Sequence, residues 1–325
     1  MSAVDYSVVI RTMGQAGEKY QRLLNSIARL DPQPREVIVV LPEGYSLPQE
    51  RLGGEIFCFS EKGMVPQRMK GIDQCSTQYA LCCDDDVSFD ADFVKKLYEP
   101  VKQGLGAFSA GPLYSFLPPK GMNALFCMIT AAASPTFLHK RDRYVSVLKS
   151  SGYSYNRNLE SGKIYETQSL PGTCFFADVA QIRDVGFERE MWLEKNGYAA
   201  MEDQTLFYKA WLQGKKTIVV SDAIYEHLDA KTSTANKNPG VYRARTFNQF
   251  VFWHRFIYCT QKCKLPSVLC YGYRLLWNLV YNFANVIRGR ISMDNYKVMI
   301  SGWFDGWRFI HSEAYRDLDA INAKS

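Results

Sequence analysis

The sequence predicts an α/β fold: a mostly parallel sheet flanked by helices, followed by a helical C-terminal extension. One observation is the succession of an apolar strand at 6–12, an amphipathic helix at 17–30 and a second apolar strand at 35–41. A strand, a helix and a strand within about 35 residues form a βαβ unit, whose strands are parallel and whose helix covers the sheet. The other observation is the composition after residue 228, where large aromatic residues are interspersed with Arg and Lys.

The alternation of strands and helices continues as far as residue 228. Apolar runs and helical periods predict strands at 54–61, 79–83, 106–116, 216–222 and 223–228, helices at 65–75, 90–103 and 201–214, and a strand followed by a helix at 171–186. Residues 117–165 mix Pro, Gly, Lys, Tyr and Asn without a stable period. We therefore expect loops there, which would cover a substrate.

Three consecutive aspartates, Asp84, Asp85 and Asp86, follow the buried strand "YALCC". Adjacent carboxylates repel one another at neutral pH and are tolerated in water, at a helix cap or around a cation. In open α/β sheets, ligands bind beyond the carboxyl ends of the strands. The position of the three aspartates therefore favours a binding site over a solvated acidic turn.

Composition and the N-terminus restrict the class of protein. The chain has 325 residues, 47% hydrophobic and 22% charged, which is typical of a globular protein and argues against extensive disorder. The N-terminus "MSAVDYSVVI" has neither a basic stretch nor a long apolar stretch, so no secretory signal is predicted. The nine cysteines are scattered along the chain, which favours reduced thiols over a disulfide framework. We expect a cytoplasmic protein.

The C-terminal part carries most of the positive charge. Residues 228–325 contain 14 basic and 6 acidic residues, a net charge of +8. This charge favours an anionic partner such as a membrane surface or a phosphate-bearing substrate. Nucleic acid is disfavoured because the basic residues are interspersed with large apolar ones and form no polar groove.

One segment of this extension, "LCYGYRLLWNLVYNFANVIRGR", is strongly amphipathic. Its polar residues recur every three or four positions, and the remaining face is almost wholly apolar. With an arginine and three asparagines inside, it is a poor transmembrane span. The pattern predicts either a helix lying in a membrane interface, on the inner face of the cytoplasmic membrane, or a helix packed on the rest of the protein.

The order of the strands, "PQRMKGI", the aspartates and the much later "MEDQTLFYKAWLQGKK" resembles the family-2 inverting glycosyltransferases of GT-A fold, in particular bacterial, non-processive enzymes that build surface polysaccharides. The resemblance covers residues 6–228, and "YRARTFNQFVFWHRF" is similar to the segment that follows the catalytic domain in membrane-associated members. It implies a catalytic domain at 1–228, with nucleotide-sugar binding in about 1–116 and the acceptor side in about 117–228. Residues 229–325 would then form a basic, aromatic, helical extension.

The resemblance also implies a site for Mg²⁺ or Mn²⁺. Asp84 and Asp86 occupy the family's Asp-x-Asp positions, with Asp86 in direct contact with the metal and Asp84 and Asp85 facing the ribose or metal-bound waters. His227 stands where several members place a metal or diphosphate ligand. A divalent cation held by carboxylates stabilises the charge that develops on a departing diphosphate.

Other site residues are implied in the same way. Inversion needs one general base for the acceptor hydroxyl, and the acidic pair at the helix start supplies it, with Asp203 as the base and Glu202 in a lesser role. Alternatively, the two acids have no catalytic role and only stabilise the N-terminus of the helix through its dipole. Arg11, Thr12 and Arg68 match segments that bind the nucleotide in the family. After the second strand, where many members carry an aspartate that reads uracil, this sequence has "LPEGYS", and Glu43 is the only acid nearby.

We therefore expect a metal-dependent enzyme that transfers one sugar from a nucleotide-diphosphate donor, with UDP-sugars favoured, to a saccharide acceptor that is lipid-linked. The sequence lacks the Gln-x-x-Arg-Trp motif that accompanies processive synthesis. A sugar nucleotidyltransferase is an alternative, although "RTMGQAGEK" lacks the tighter glycine-rich loop of that class. A catalytically inactive scaffold that binds saccharide or lipid is another, and the intact Asp84, Asp86 and Asp203 argue against it.

Overall fold

The structure is a computed structural model that describes residues 4–118, 120–136, 142–229 and 238–321. Parts of the predicted loop region 117–165 and of the extension 229–325 therefore lie outside the described residues. The strands are β1 (Tyr6–Arg11), β2 (Glu36–Pro42), β3 (Ile56–Ser60), β4 (Tyr79–Asp84), β5 (Val87–Phe89), β6 (Phe108–Ala110), β7 (Ala133–Pro135), β8 (Val145–Val147), β9 (Tyr153–Tyr155), β10 (Ile164–Thr167), β11 (Cys174–Asp178), β12 (Thr217–Val220) and β13 (Tyr225–His227). The α-helices are α1 (Glu18–Ala28), α2 (Met64–Gln74), α3 (Phe93–Lys102), α4 (Met122–Ile129), α5 (Val179–Val185), α6 (Glu202–Leu212), α7 (Pro239–Phe252), α8 (Leu265–Ile287), α9 (Met293–Ile310) and α10 (Glu313–Arg316).

Eight strands form the central sheet, in the order β10-β12-β6-β11-β4-β1-β2-β3. Strands β1, β2, β3 and β4 pair in parallel, whereas β11 runs antiparallel to both β4 and β6. Both faces of the parallel part are buried, which explains why its strands are continuous apolar runs. Within β1, Val9 belongs to the core on one face, and Val8 and Ile10 belong to the core on the other.

Helices cover both faces of this sheet. Helices α1 and α3 contribute to the core on one side, and α2, α5 and α6 to the core on the other. Helix α2 approaches β1 closely at Gly71, where a Cβ atom would lie 2.3 Å from Cγ1 of Val9. A side chain at this position would push α2 away from the sheet, so the glycine sets the distance between these two elements.

The described residues of 117–165 are more regular than the sequence predicted. They include helix α4 and a three-stranded sheet in the order β7-β9-β8. Each of these strands has only three residues, so no alternation of apolar and polar residues develops that a sequence pattern could reveal. A separate antiparallel pair of β5 and β13 places His227 opposite Val87, next in the chain to Asp86.

The C-terminal extension is helical, as predicted, and shares a core with the α/β part of the chain. Helix α7 continues into a π-helix at Trp253–Tyr258. Phe247, Phe252 and Phe256 are fully buried in the core cluster that also contains side chains of α6. The Asn248 amide donates hydrogen bonds of 2.9 Å to the carbonyl oxygens of Leu193 and Ala200. None of the described helices combines the length and the apolar character that a bilayer-spanning segment needs.

Helix α8 packs with its polar face toward the protein. Its buried residues are Ser267, Tyr271, Asn282 and Asn285. Its large apolar residues are instead exposed, and they include Leu265, Leu269, Leu276, Val280, Phe283 and Ile287. Of the two arrangements that the sequence left open, packing on the protein accounts for the polar face and for Leu275. The exposed apolar residues are not covered by any described part of the chain.

Candidate active site

The pairing of β1 with β4 builds the first part of the site. Arg11 and Asp84 end these two strands and are direct partners in the strand register. The Arg11 guanidinium donates hydrogen bonds from Nε to Oδ1 of Asp84 at 2.5 Å and from Nη2 to Oδ2 at 3.3 Å. Its Nη1 also donates to Oε2 of Glu202, at 3.3 Å. Arg11 thus joins the strand-end aspartate to the first residue of α6.

A second arginine holds Glu202 in place. Nε and Nη2 of Arg68 donate to the two carboxylate oxygens of Glu202 at 2.6 and 3.1 Å, and Nη2 also donates to the Gly172 carbonyl oxygen at 3.2 Å. The Arg68 and Glu202 side chains are 3% and 1% exposed. Burial by itself would raise the pKa of Glu202, but the charges of Arg68 and Arg11 outweigh it and lower this pKa to about 2. Glu202 is therefore ionised and enclosed, and its contacts are with protein.

Asp203, the next residue, has the opposite environment. Its side chain is 27% exposed, and Nη2 of Arg68 lies 3.9 Å from its Oδ1. Burial and the negative charge of Glu202 raise the pKa of Asp203 well above its usual value. A Cβ atom on Gly172 would lie 1.7 Å from Oδ1 of Asp203, so the glycine makes room for this carboxyl group.

Asp203 opens into a cavity of about 330 Å³. The cavity lies between residues 113–117, the strands β8 and β9, the loop before β11, the start of α6, and helices α7 and α8. Its polar lining includes Tyr144, Tyr153, Gln204 and Arg274, and its apolar lining includes Leu170 and Phe252. Several lining residues belong to 117–228, the acceptor side that the sequence predicts, and Arg274 of α8 also lines the cavity, which the sequence pattern did not predict.

The three consecutive aspartates have different partners. Asp84 is bound by Arg11, as described above. The Thr12 hydroxyl donates to Oδ2 of Asp85 at 2.5 Å, and Oδ1 of Asp86 lies 3.3 Å from Nε2 of His227. Burial raises the pKa of Asp85 to about 7, and the hydrogen bond with Asp86 raises the pKa of His227. These separate partners explain how three adjacent acids can be packed at one strand end.

Asp86 and His227 form the part of the site that fits a divalent cation. Two neighbouring ligands of an octahedral ion with bonds of about 2.1 Å lie about 3.0 Å apart, close to the observed separation of 3.3 Å. Among the described residues, no group of three or more His, Cys, Asp or Glu side chains is arranged to hold a metal. Mg²⁺ and Mn²⁺ commonly bind only one or two protein groups and complete their coordination with phosphate oxygens and water.

The structure does not bring Glu43 into this cluster. It lies in the exposed turn after β2, where its backbone N–H donates to the Ser60 carbonyl oxygen at 2.8 Å. Thr12 is at the cluster, but its side chain is engaged by Asp85, and Arg68 is enclosed by protein groups. Within the cluster, the Asp84 side chain is 21% exposed, against 9% for Arg11, to which it is bound.

Two supporting residues were missed by the sequence analysis. The Gln67 amide donates to the carbonyl oxygens of Thr12 and Val40 at 3.1 and 3.2 Å, which fixes the ends of β1 and β2. Oε1 of Glu194 accepts a hydrogen bond of 2.9 Å from the Val65 N–H at the start of α2. Gln67 adjoins Arg68 in the motif "PQRMKGI" and could have been found there. Glu194 carries no signal in the sequence.

Comparisons with known proteins bear on the fold and on the sequence of residues 49–146. Residues 49–146 match the family described as Glycosyl transferase family 2. No curated protein matches the chain. Among solved structures, GalNAc-T7 with UDP, GalNAc and Mn²⁺ is similar with a TM-score of 0.52 and 12% identity, over 79% of this chain and 50% of that one.

Two structures of TarS from S. aureus are also similar. The fragment 1-349 in complex with UDP-GlcNAc has a TM-score of 0.52 and 14% identity, over 93% of this chain and 80% of the fragment. A longer TarS structure has a TM-score of 0.53 and 14% identity, over 96% of this chain and 50% of that one. The chain thus spans about half the length of GalNAc-T7 and of the longer TarS chain.

These comparisons confirm the predicted fold, and they confirm the predicted resemblance to the family-2 glycosyltransferases over residues 49–146. At such low identity, the structural likeness establishes the fold alone. The chain thus has a GT-A fold, and its residues 49–146 match Glycosyl transferase family 2.

Proposed function

We propose that this protein transfers one sugar from a nucleotide-diphosphate donor, with UDP-sugars favoured, to a saccharide acceptor, with inversion at the anomeric carbon. The observation that carries the proposal is the position of Asp203. It stands next to the carboxylates and arginines at the carboxyl ends of β1 and β4, and it opens into a separate cavity. A donor side and an acceptor side therefore meet at one carboxyl group. The UDP and UDP-GlcNAc bound in the similar structures support the choice of UDP.

On the donor side, Asp86 and His227 would hold Mg²⁺ or Mn²⁺. When bound, the cation supplies positive charge that stabilises the departing diphosphate. Arg11 keeps the Asp84 carboxylate fixed beside this pair, and Thr12 fixes Asp85. Because these side chains are already held by hydrogen bonds, little reorganisation is needed when a donor binds.

On the acceptor side, Asp203 acts as the general base. The acceptor hydroxyl gives its proton to Asp203 while its oxygen attacks the anomeric carbon, and the bond from that carbon to the diphosphate oxygen breaks. The raised pKa of Asp203 makes it a stronger base than an ordinary aspartate. Glu202 is a positioning residue, since its charge raises the pKa of Asp203 and its carboxylate joins Arg11 to Arg68.

The acceptor is proposed to be lipid-linked, in cell-surface polysaccharide synthesis on the cytoplasmic face of the membrane. The support is the exposed apolar face of α8. Helix α4, which has no buried residue, extends this face through a contact of 5.0 Å between the ring centroids of Phe126 and Tyr281. Exposed basic residues flank both ends of α8, namely Lys262, Lys264, Arg288 and Arg290. An apolar face with basic ends suits an anionic membrane surface.

Donor binding tests the proposal most directly. We would measure calorimetrically the affinity of the protein for UDP-, GDP- and dTDP-sugars, with Mn²⁺ and with EDTA. UDP-GlcNAc or UDP-GalNAc should bind in a metal-dependent manner, and Asp86→Asn should weaken that binding by at least ~10-fold. Asp90→Asn is a matched control, because Asp90 is exposed nearby in the same segment. Failure of every nucleotide sugar to bind, with or without metal, would instead favour the inactive scaffold.

A further inference from the structure

Arg274 lies on α8, yet it lines the cavity into which Asp203 opens. With the Gln249 amide oriented so that its oxygen faces the guanidinium, this oxygen accepts hydrogen bonds from Nε at 3.2 Å and Nη2 at 2.6 Å. Nη1 donates to the Ser150 carbonyl oxygen at 3.4 Å. These neutral acceptors fix the side chain and leave part of its donor fork for a ligand.

The charge of Arg274 has no acidic counterpart in the described part of the chain. No carboxylate there forms an ion pair with it, and the ionisable side chains that influence its pKa are Tyr271, Tyr153 and Cys127, which are neutral at pH 7. Burial lowers the pKa of Arg274 to about 10, so the guanidinium remains charged at neutral pH. A cation held away from water without an acid is costly unless a ligand supplies the opposite charge.

The rest of the cavity suits a small polar molecule with apolar faces. Tyr144 and Tyr153 present aromatic rings, and Leu170 and Phe252 add apolar surface. The hydroxyl of Ser151, a residue that is 5% exposed and lines the cavity, has no hydrogen-bond partner among the residues that the structure describes. A volume of about 330 Å³ lies at the lower end of the range of about 300–1,000 Å³ for small-molecule sites.

We propose that Arg274 binds an anionic group, a phosphate or a carboxylate, carried by the saccharide acceptor. This inference rests on the proposed function, because it takes the cavity beside Asp203 as the acceptor site. Arg274 determines specificity here by pairing with the acceptor's oxyanion, in the fork geometry that suits both phosphate and carboxylate. The same helix directs its apolar face outward, so a phosphate that joins a sugar to a lipid is one source of the anion. A uronic acid is the other.

Binding of small probes to the full chain, with UDP and Mn²⁺ present in excess, tests this inference. The probes are glucose 1-phosphate, methyl glucuronide and the neutral methyl glucoside, titrated at equal ionic strength. At least one anionic probe should bind ~10-fold or more tightly than the neutral one. Preference for the phosphate supports a phosphate-bearing acceptor, and preference for the glucuronide supports a uronate.

Variants of Arg274 assign the preference to this residue. Arg274→Met should abolish it, and Arg274→Lys should retain part of it, because lysine keeps the charge and loses the fork. Arg288→Met is the matched control, since Arg288 is exposed at the end of α8. Thermal unfolding of each variant shows whether it folds. If Arg274→Met does not fold, the partial loss of preference in Arg274→Lys still tests the role of the residue.

Two outcomes would overturn the inference: equal affinity of the wild type for all three probes, or an anion preference that both Arg274 variants retain in full. Failure of the proposed function would be seen separately, as a loss of metal-dependent UDP binding. The Arg274-dependent preference for anions would be measured whether or not UDP binds.

Discussion

Glu202 and Asp203 are neighbours in the chain, but their surroundings assign them different roles. Arg11 and Arg68 surround Glu202 and hold it ionised, with a pKa of about 2. Asp203 has only a distant contact with Arg68 and lies against the charge of Glu202, so its pKa is raised. A pair of acids whose pKa values are pushed apart is typical of a catalytic base and its positioning partner.

Asp203→Asn should abolish transfer while leaving donor binding intact. Removing a general base costs about 10²- to 10⁴-fold in rate, and Asp203 lies on the acceptor side of the site. In the wild type, the rate should fall with decreasing pH at a value above about 3.9, the ordinary aspartate pKa, because Asp203 becomes protonated there. Comparing kcat with the donor Kd across pH checks this, with Asp90→Asn as the control. A variant that loses donor affinity as well would show a structural role for Asp203.

At the scale of a single element, α8 is unusual because its polar side faces the protein. A helix on the surface of a globular protein normally turns its apolar stripe inward. Here Tyr271 anchors the helix by stacking on Trp253 at 4.4 Å between ring centroids, and Asn282 and Asn285 are buried. The exposed apolar residues therefore contribute little to folding in water, and their exposure is the basis of the proposed membrane contact.

Replacing three of these residues should remove membrane binding and leave the fold intact. Leu269, Leu276 and Ile287 are 64%, 59% and 75% exposed. The triple serine variant should lose at least ~10-fold in binding to vesicles containing anionic lipid, since each large apolar side chain contributes about 1.5–3 kcal/mol when fully buried. Sedimentation with vesicles measures this. Ile224→Ser, at a residue 54% exposed outside α8, is the control. Unchanged sedimentation of the triple variant would rule out α8 as the membrane contact.

In the whole molecule, a buried ionic network joins the extension to the α/β part of the chain. Glu190 is fully buried and accepts hydrogen bonds of 2.9 Å from Nε and Nη2 of Arg255 and of 2.6 Å from Nε1 of Trp192, and Nζ of Lys209 lies 2.8 Å from its Oε1. Burial alone would raise the pKa of Glu190, but the hydrogen bonds and charges of Arg255 and Lys209 lower it. The extension is thus connected to α6, whose first residues form the site.

Glu190→Gln should destabilise the whole protein. The substitution leaves Arg255 and Lys209 buried without their acid, and breaking a buried pair in this way costs about 3–5 kcal/mol. Because the folded-state pKa of Glu190 is lowered, its contribution to stability is present above the ordinary glutamate pKa of about 4.3 and is lost as the pH falls through the folded-state pKa.

Urea unfolding at pH 7 and at decreasing pH measures this effect. Glu226→Gln is the control, since Glu226 pairs with Arg22 at an exposed site, with side chains 64% and 55% exposed. An exposed pair contributes about 0–1 kcal/mol. Equal unfolding free energies for the two variants would contradict the role assigned to Glu190.

The sequence by itself determined the order of the main strands and helices and the place where they converge. Strands β1, β2 and β4 and helices α1, α2 and α6 were predicted within a few residues, because apolar runs and helical periods are local properties of the chain. The position of Asp84–Asp86 at a sheet edge followed from the same reasoning, since parallel strands end on one side. The assignment of these residues to a metal and a donor remains a prediction.

Only the tertiary structure decided which side chains meet across the chain. Glu190 accepts a hydrogen bond from Arg255, which is 65 residues away in the chain. Arg274 lines the cavity into which Asp203 opens, although the sequence pattern of its helix shows only that the helix is amphipathic. Periodicity reveals that a helix has two faces, but not which face the protein covers. That choice depends on the shape and polarity of the surface against which the helix packs, and this surface exists only once the chain has folded.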